Sequence, residues 1–342
     1  MHSDTKIFTI LRKHLKMKKL NIALLSGGDS SEREIALASA AQIEQAMDHS
    51  KYDITVVDVQ GRNWNHTTAD GEVIAVDKND FSITIDGAHK AFDYALIIIH
   101  GTPGEDGKLQ GYLDIMGVPY SSCGMASSVI TFDKISTKRA VAGKVPVAHE
   151  IFLTRNESVS ADEVIEQLGL PVFIKPNASG SSCGVTKVSK KEDIEAAIEY
   201  ARSESDDVLI EEMISGREIG CGLMILGEKE YIFPLTEIVS KKDFFDYEAK
   251  YTSGMSDEIT PAPIDEESAE KIRRMAVEAY RLCRCSGVVR ADFILTPEGV
   301  PYMVEINTIP GMSAASIVPK QAATMGMSLG EMFDLVIADS LK

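Results

Sequence analysis

The chain has 342 residues, enough for two or three domains with cores of their own. Its 52 Asp and Glu outnumber its 35 Lys and Arg, and the net charge of −17 argues against nucleic acid or an anionic membrane as the main partner. No apolar run approaches the roughly 20 residues of a membrane helix. The five cysteines are odd in number and lack the paired spacing of a zinc site, so we expect free thiols in a cytoplasmic protein.

The first 17 residues are basic, and their apolar run from Ile7 to Leu11 is shorter than the core of a signal peptide. We predict that residues 1–17 are a disordered tail or lie upstream of the true translation start, with Met17 as the natural beginning. A targeting arm is the alternative interpretation.

The first clear element is an apolar strand from Asn21 to Ser26, of the kind that parallel sheets bury. A Gly27-Gly28 turn and a helix from about Glu32 to Met47 follow, and Ser31 and Glu34 have the spacing of a capping box. This order predicts a doubly wound α/β domain with a ligand site at the end of the strand. A NAD-dependent dehydrogenase is a distant alternative, because the turn is not G-x-G-x-x-G.

Further strands are predicted at Asp53 to Val59, Phe81 to Ile85 and Ala95 to Ile99, and the last of them ends at His100 in a glycine-rich loop. That loop is a candidate wall of a site, although a single histidine is more often a capping residue. We place a domain boundary near Ser121, where the pattern changes.

The middle of the chain carries a candidate phosphate site. A predicted helix around Phe132 to Ala142 carries Lys134, and the strand Val172 to Lys175 ends in a lysine. The loop that follows, Asn177 to Gly184, consists mostly of small residues whose backbone N–H groups can hold a phosphate, while a lysine adds a point charge. A plain connection is the alternative interpretation.

Two later segments indicate further nucleotide contacts and a lid. Glu211 lies in the strand region Val208 to Ile214 and Glu218 opens the next strand, so both carboxylates can accept hydrogen bonds from a ribose or an adenine amino group. Phe244 to Ser256 has poor periodicity and is predicted to be a long ordered loop of the lid type.

The richest stretch is a predicted β-hairpin in which the runs Val288 to Leu295 and Val300 to Ile306 flank a Pro–Gly turn. A four-residue connection pairs Leu295 with Val300, and therefore Arg290 with Glu305. Because side chains alternate faces along a strand, one side of the hairpin should carry four polar side chains, those of Arg290, Asp292, Glu305 and Asn307.

These four side chains predict a metal site beside a cation. Two carboxylates and a carboxamide are hard oxygen ligands that Mg²⁺ accepts together with phosphate oxygens. A neighbouring arginine can stabilise charge that develops in a transition state. An exposed polar face with one surface ion pair is the alternative interpretation.

Taken together, these features resemble the D-alanine–D-alanine ligases of the ATP-grasp superfamily, and the resemblance covers the chain after Met17. Each motif alone is weak, but six in order with suitable spacing are a strong signal. The motifs are Gly27-Gly28-x-Ser30-x-Glu32-Arg33-Glu34, His100-Gly-x-x-Gly104-Glu105-Asp106-Gly107, Lys175-Pro-x-x-x-Gly180-Ser181-Ser182-x-Gly184, Glu248-Ala249-Lys250-Tyr251, Arg290-x-Asp292, and Glu305-x-Asn307-Thr308-x-Pro310-Gly311-Met312.

The resemblance implies an α/β fold of three domains, with ATP held between the last two. We expect a doubly wound N-terminal domain at residues 18–121 with the first D-alanine subsite, a central ATP-grasp subdomain at 122–208, and a C-terminal ATP-grasp subdomain at 209–342 with the metal site and the lid. The resemblance also implies a homodimer formed through the N-terminal domains.

The resemblance implies a nucleotide site and a metal site. The predicted ATP contacts are Lys134, Lys175, Ser179, Ser181 and Ser182 at the phosphates, and Glu211 and Glu218 at the adenine and ribose. Two Mg²⁺ ions, which Mn²⁺ can replace, would be held by Asp292, Glu305 and Asn307.

The implied reaction joins two D-alanines for peptidoglycan precursors, and so serves cell wall biogenesis and cell shape. The carboxylate of the first D-alanine attacks the γ-phosphoryl group of ATP, and the amine of the second then attacks the D-alanyl phosphate. The resemblance implies that Glu32, linked by hydrogen bonds to Ser181 and Tyr251, holds the first ammonium, and that His100 lines that subsite. Arg290 and the Gly311 N–H would stabilise the oxyanion. The implied contacts of the second substrate are Lys250, Ser316 and Ile317.

The second substrate is the main point on which alternatives differ. Relatives that make D-alanyl-D-lactate look different in the lid, with a histidine where this chain has Tyr251, so Tyr251 favours the dipeptide. A D-alanine–D-lactate or D-alanine–D-serine ligase is the first alternative. A non-catalytic nucleotide-binding protein is disfavoured, because all four polar residues of the hairpin are present.

Overall fold

The computed structural model describes residues 19–180, 183–240 and 256–342. The predicted tail at residues 1–17 and nearly all of the predicted lid lie outside these ranges. The N-terminal part contains the strands β1 (Leu20–Gly27), β2 (Tyr52–Gln60), β3 (Asn63–Thr67), β4 (Val73–Ala75), β5 (Ser82–Ile85), β6 (Ala88–Ala91) and β7 (Tyr94–Ile97).

Five of these strands form one sheet in the order β4-β3-β2-β1-β7, and β5 and β6 form a separate hairpin. β1 runs parallel to both β2 and β7, as predicted for a buried apolar strand, whereas the β2–β3 and β3–β4 pairs are antiparallel.

Helices cover both faces of this sheet. Ile22 and Leu24 of β1 pack on one face with Ile43 of helix α1 (Arg33–Ala46). Ala23 and Leu25 pack on the other face in a cluster that includes residues of helix α2 (Lys108–Met116). A sheet covered on both sides is what the doubly wound prediction requires.

The predicted capping box at the start of α1 is wrong. Glu32, not Ser31, is the N-cap residue, and its side chain makes no capping hydrogen bond. The turn is instead held by Ser30, whose Oγ accepts from the Glu32 N–H at 3.2 Å and donates to the His100 carbonyl at 2.7 Å. The helix therefore starts one residue later than the box requires.

The helix predicted around Phe132 to Ala142 is present, but it starts two residues later than predicted. Helix α3 (Met125–Phe132) ends where helix α4 (Lys134–Val141) begins, and Asp133 between them caps α4 by accepting a hydrogen bond from the Ser136 N–H. Lys134 is thus the first residue of α4.

The central part is an antiparallel sheet in the order β10-β9-β11-β8, with helices on one face. Val172, Ile174, Val208 and Ile210 pack into that covered side. The alternate side chain of Lys175 therefore projects from the uncovered side. The elements are β8 (Glu150–Leu153), α5 (Ala161–Leu168), β9 (Val172–Pro176), β10 (Thr186–Val188), α6 (Ile194–Arg202) and β11 (Val208–Glu212).

The C-terminal part is a six-stranded antiparallel sheet in the order β15-β14-β12-β16-β17, in which β13 also pairs with β12. Its strands are β12 (Arg217–Leu226), β13 (Lys229–Ile232), β14 (Thr236–Ser240), β15 (Ser256–Ile259), β16 (Val288–Leu295) and β17 (Pro301–Asn307). Its helices are α7 (Glu266–Leu282), α8 (Ile317–Thr324) and α9 (Leu329–Ser340).

Strand β16 buries its odd-numbered residues. Val289, Ala291 and Phe293 pack in one core with Ile272 of α7, so Arg290 and Asp292 project from the opposite face.

All five cysteines are free, as expected. None of the helices in the described ranges combines the length and the apolar character that crossing a bilayer demands.

Candidate active site

The connection between β16 and β17 is one residue longer than predicted. Leu295 pairs with Pro301 and not with Val300, so residues 296–300 join the two strands. The reason is that Val300 closes the turn itself, by accepting a hydrogen bond from the Thr296 N–H at 3.0 Å. The predicted pairing of Leu295 with Val300 is therefore wrong.

A β-bulge then shifts the register by a second residue. Beyond an irregularity between Asp292 and Phe293, Asp292 pairs with Glu305 and Arg290 pairs with Asn307. The predicted pairing of Arg290 with Glu305 is wrong for this reason. Because two single-residue shifts restore the alternation of faces, the four polar side chains still share one side of the hairpin.

Arg290 and Asp292 form a two-point ion pair. Arg290 Nε and Nη2 each donate to a carboxylate oxygen of Asp292 at 2.8 Å, and the two side chains are only 17% and 6% exposed. The alternative of an exposed polar face with a surface ion pair is therefore wrong. The pair fixes the plane of the guanidinium group, and each carboxylate oxygen keeps a further lone pair for another partner.

Two adjoining cavities meet at this face of the hairpin. The smaller cavity, of about 310 Å³, is bounded by the N-terminal end of α1, the hairpin and the start of α8. The larger cavity, of about 530 Å³, lies between the central and the C-terminal sheets. Both are lined by Lys134, Ser179, Arg290 and Glu305, which form a shared wall.

Every predicted site residue that the structure describes lines one or both cavities. The smaller one is lined by Glu32, His100, Lys134, Ser179, Arg290, Glu305, Asn307, Gly311, Ser316 and Ile317. The larger one is lined by Lys134, Lys175, Ser179, Glu211, Glu218, Arg290, Asp292 and Glu305. The remaining predicted residues, Ser181, Ser182, Lys250 and Tyr251, lie outside the described residues.

One wall of the smaller cavity carries a histidine and two carboxyl groups. Burial lowers the pKa of the His100 imidazole, although the Glu32 carboxylate acts in the opposite direction, and Nε2 has no hydrogen-bond partner among the described residues. Glu105 accepts from the Gly101 N–H at 2.6 Å. Desolvation, together with the negative charges of Glu32 and Glu305, raises the pKa of Glu105 to about 8.

The small-residue loop after β9 reaches the N-terminal domain. A Cβ atom on Gly180 would lie 3.3 Å from Glu32 Oε2, and Cys183 Sγ lies 3.8 Å from Ser31 Oγ. Lys134 Nζ donates to the Ser179 carbonyl at 2.9 Å. The described part of the loop thus lies beside the turn that carries Glu32, and its Ser179 lines both cavities.

A buried charge cluster lies at the central-sheet side of the larger cavity. Glu211 accepts from Lys175 at 2.5 Å and from Lys138 at 2.8 Å, and Lys138 also contacts Glu150 at 2.7 Å. Burial alone would raise the pKa of the Glu211 carboxyl, but the two ammonium groups outweigh it and lower the pKa. The resemblance implies that Lys175 and Glu211 lie at opposite ends of the nucleotide, whereas in the structure they are in direct contact.

The loop after β17 is tied to helices on both sides. A Cβ atom on Gly311 would lie 2.7 Å from Ser316 Oγ, so glycine permits the loop to approach the start of α8. Ser316 is the N-cap residue of α8 and its side chain makes no capping bond, while the Met312 N–H donates to Ser39 Oγ at 3.1 Å. Ser39 is fully buried on α1.

The oxygen ligands on the hairpin fit a magnesium site. In residues 19–180, 183–240 and 256–342, no three His, Cys, Asp or Glu are grouped to hold a metal ion; the candidate set is two carboxylates and a carboxamide. Asp292 and Glu305 are cross-strand partners, and Asn307 Oδ1 accepts from the Ile309 N–H at 3.0 Å while keeping a second lone pair. Mg²⁺ binds through few protein oxygens and completes its shell with water and phosphate.

Sequence reasoning gave no role to three residues that the structure places at or behind the cavities, namely Glu105, Ser39 and Gln321. Glu105 stands inside one of the quoted motifs, which was a usable signal. Ser39 and Gln321 act across long stretches of sequence, and no local pattern marks them.

The chain is similar to two family models. One, described as "D-ala D-ala ligase N-terminus", matches residues 21–123, and the other, "D-ala D-ala ligase C-terminus", matches residues 141–338. A D-alanine--D-alanine ligase from Phocaeicola vulgatus is 45% identical over 320 residues, which are 93% of this chain and 98% of the relative. One from Flavobacterium johnsoniae is 39% identical over 324 residues, 94% and 99% of the two chains.

The structure is also similar to solved structures of such ligases. The VanG D-Ala:D-Ser ligase from Enterococcus faecalis superimposes with a TM-score of 0.85 at 31% identity, over 94% of this chain and 100% of that one. The D-alanyl-alanine synthetase A from Vibrio cholerae gives 0.85 at 31% identity, over 95% and 100%. A D-alanine–D-alanine ligase from Bacillus anthracis complexed with ATP gives 0.75 at 31% identity, over 95% and 97%.

Proposed function

The chain belongs to the D-alanine–D-alanine ligase family, and from that premise we propose which of its residues bind, orient and activate the substrates. The protein is an ADP-forming ligase of the ATP-grasp fold that joins two D-alanines to D-alanyl-D-alanine through a D-alanyl phosphate. This dipeptide is a precursor of peptidoglycan, so the enzyme acts in cell wall biogenesis and in the maintenance of cell shape.

The shared wall of the two cavities is the observation that supports the assignment most directly. The nucleotide occupies the larger cavity and the first D-alanine the smaller one, so the γ-phosphoryl group and the attacking carboxylate meet at Lys134, Arg290 and Glu305. Two anions approach each other there, and the two cations of the wall reduce their repulsion.

The larger cavity supplies the nucleotide contacts. Glu211 holds the Lys175 ammonium at 2.5 Å, which fixes a positive charge beside the phosphates. Glu218 lines the same cavity and accepts from the ribose. Ser179 and the adjoining Ser181 and Ser182 close over the phosphates through their backbone N–H groups.

The smaller cavity holds the first D-alanine. Glu32 binds its ammonium group, and Ser181 and Tyr251 hydrogen-bond to Glu32. The neutral imidazole of His100 forms the wall beside the ammonium. Glu105 is uncharged below about pH 8, so it adds no negative charge next to a substrate whose carboxylate must attack a phosphate.

The second step takes place at the start of α8. Ser316 and Ile317, with Lys250, bind the carboxylate of the second D-alanine, and the exposed N–H groups of the first helical turn favour that negative charge. Its amine attacks the D-alanyl phosphate, and Arg290 with the Gly311 N–H stabilises the oxyanion that develops. Tyr251 or a group of the substrate itself takes the proton from the amine.

Asp292, Glu305 and Asn307 would hold two Mg²⁺ ions, for which Mn²⁺ can substitute. When bound, the ions supply charge neutralisation at the phosphate oxygens. Arg290 orients the Asp292 carboxylate for this role through its two hydrogen bonds.

The broader organisation is also part of the proposal. We assign residues 18–121, 122–208 and 209–342 to the three domains. A homodimer through the N-terminal domains and a location in the cytoplasm complete the proposal; five free thiols are consistent with a reducing compartment.

The decisive experiment is ADP and phosphate release that depends on D-alanine, with the product identified by mass spectrometry. We expect D-alanine alone to give D-alanyl-D-alanine with one ADP per dipeptide. D-lactate and D-serine are added as competing acceptors at neutral pH, because the fold is shared with a D-Ala:D-Ser ligase. A preference for either acceptor over D-alanine would refute the substrate assignment.

A further inference from the structure

Gln321 is a buried polar residue that the reaction described above does not use. It lies on α8 and is fully buried. Its Oε1 accepts from the Gly222 N–H at 3.1 Å, and its Nε2 donates to the Gly220 carbonyl at 2.9 Å and to Thr236 Oγ1 at 3.0 Å. A buried amide with both of its ends bonded is costly to disrupt, because each partner would be left without a hydrogen bond.

These bonds fill a gap in the C-terminal sheet. β12 pairs with β14 as far as Gly220 and with β13 from Leu223 onward. The chain between those two neighbours contains Pro234, which has no N–H to donate. The amide of Gln321 therefore supplies to β12 the acceptor and one of the donors that a continuous strand would provide.

The gap is shaped to receive this side chain. A Cβ atom on Gly222 would lie 2.3 Å from Gln321 Oε1, so the glycine is needed for the contact. On the other edge of β12, Gly222 is the cross-strand partner of Arg290 and Gly220 is the partner of Asp292. Gln321 thus lies one strand behind the ion pair of the active site.

Helix α8 connects this anchor to the second subsite. Gln321 is five residues beyond Ser316, a rise of about 7.5 Å along the helix, and Ser316 and Ile317 line the smaller cavity. Any rotation or slide of α8 against β12 would therefore move the subsite relative to Arg290.

We propose that Gln321 is a positioning residue for the second amino acid substrate, because it fixes the first turn of α8 relative to Arg290 and Asp292. This inference rests on the proposed function, in which Ser316 and Ile317 bind the second D-alanine. A displacement of a reacting group by about 1 Å can cost on the order of 100-fold in rate, so the anchor need only prevent a small movement.

The test is the variant Gln321→Met, which keeps the length of the side chain and removes both the amide oxygen and the amide nitrogen. The matched control is Val336→Ala, which opens a cavity on α9 in the same part of the core and touches neither β12 hydrogen bond. Initial rates of ADP release are measured against D-alanine concentration to obtain separate KM values for the first and second sites. Dipeptide and ADP are quantified in the same samples.

For Gln321→Met we expect the KM of the second D-alanine to rise on the order of tenfold, with the KM values for the first D-alanine and for ATP within twofold of wild type. The ratio of dipeptide to ADP should fall below one, because D-alanyl phosphate is hydrolysed when the amine is misplaced. Val336→Ala should lower the thermal midpoint and leave that ratio unchanged.

Unchanged KM values, or an equal rise for ATP and both amino acids, would overturn the inference and leave Gln321 with a role in folding alone. If Gln321→Met does not fold, Gln321→Glu is judged by the same criteria, since it keeps the acceptor for Gly222 and loses the amide donors. A wild-type enzyme without D-alanine-dependent ADP release would defeat the proposed function itself, which is a distinguishable result.

Discussion

Replacing Arg290 with alanine removes the side-chain cation that we assign to the oxyanion of the second step. Loss of one such donor typically lowers kcat by roughly 10²–10³, or about 2.7–4 kcal/mol of transition-state stabilisation. ATP binding should change little, because we propose that Lys175, Glu211 and the loop from Asn177 to Gly184 hold the nucleotide in the larger cavity.

The structure also predicts a cost in stability. Asp292 is 4% exposed, and both of its oxygens accept from Arg290 at 2.8 Å. Breaking a fully buried pair by removing one partner costs about 3–5 kcal/mol. Since the Arg290 side chain is itself 17% exposed, we expect the lower part of that range. Arg290→Lys is the control: it keeps the charge but cannot reproduce the two-point contact, so both losses should be smaller.

Three measurements separate these effects. Calorimetric titration gives ATP affinity, positional isotope exchange in ATP reports the first step, and dipeptide formation reports the second. We expect Arg290→Ala to bind ATP and to lose dipeptide synthesis. A folded variant with near-normal turnover would remove Arg290 from the mechanism, whereas a parallel loss of ATP affinity would show that the damage lies in the fold.

Three further predictions concern other parts of the site. The pKa of Glu105 is about 8 in the folded protein, against an ordinary value of 4.5, so wild type should lose stability relative to Glu105→Gln as the pH rises from 4.5 to 8, by at most about 1.4 kcal/mol per pH unit. Thermal midpoints of the two proteins that change in parallel with pH would refute this. Ser39→Ala removes the acceptor for the Met312 N–H, so it should lower kcat on the order of tenfold without changing the KM for ATP. The control Ser128→Ala, at an equally buried serine on α3, should leave kcat unchanged. Chelation with EDTA should abolish ADP release, and added Mn²⁺ should restore it. Asn307→Ala should weaken Mn²⁺ binding by about tenfold, as measured by electron paramagnetic resonance. Equal Mn²⁺ affinity in wild type and variant would exclude Asn307 as a ligand.

The hairpin shows how far sequence reasoning reaches. Alternation along two strands was enough to place four polar side chains on one face, those of Arg290, Asp292, Glu305 and Asn307. Residues two positions apart on a strand point the same way whatever the exact pairing is. The pairing itself was wrong, since neither the turn closed by Val300 nor the bulge beside Asp292 leaves a mark in composition. A shift of one residue instead of two would have turned β17 over and separated the carboxylates.

Contacts between distant segments were the harder part. Periodicity predicted the strand β1 and the helix α1, but not that the Met312 N–H would bond to Ser39, 273 residues away. The ion pair of Lys175 with Glu211 depends on β9 and β11 becoming neighbours, which the two strand patterns do not specify. Such bonds arise from the packing of sheets against one another, so they become visible only with the fold.

The wall common to the two cavities has a consequence for the reactive acyl phosphate. In the proposed mechanism the acyl phosphate is made and consumed at one location, so no tunnel or carrier has to convey it. Its survival then depends on how soon the second amine arrives. A change of acceptor then needs new residues only around the second substrate, at the α8 end of the smaller cavity and in the predicted lid. The residues proposed for the phosphorylation of the first D-alanine can therefore stay the same in ligases that make different products.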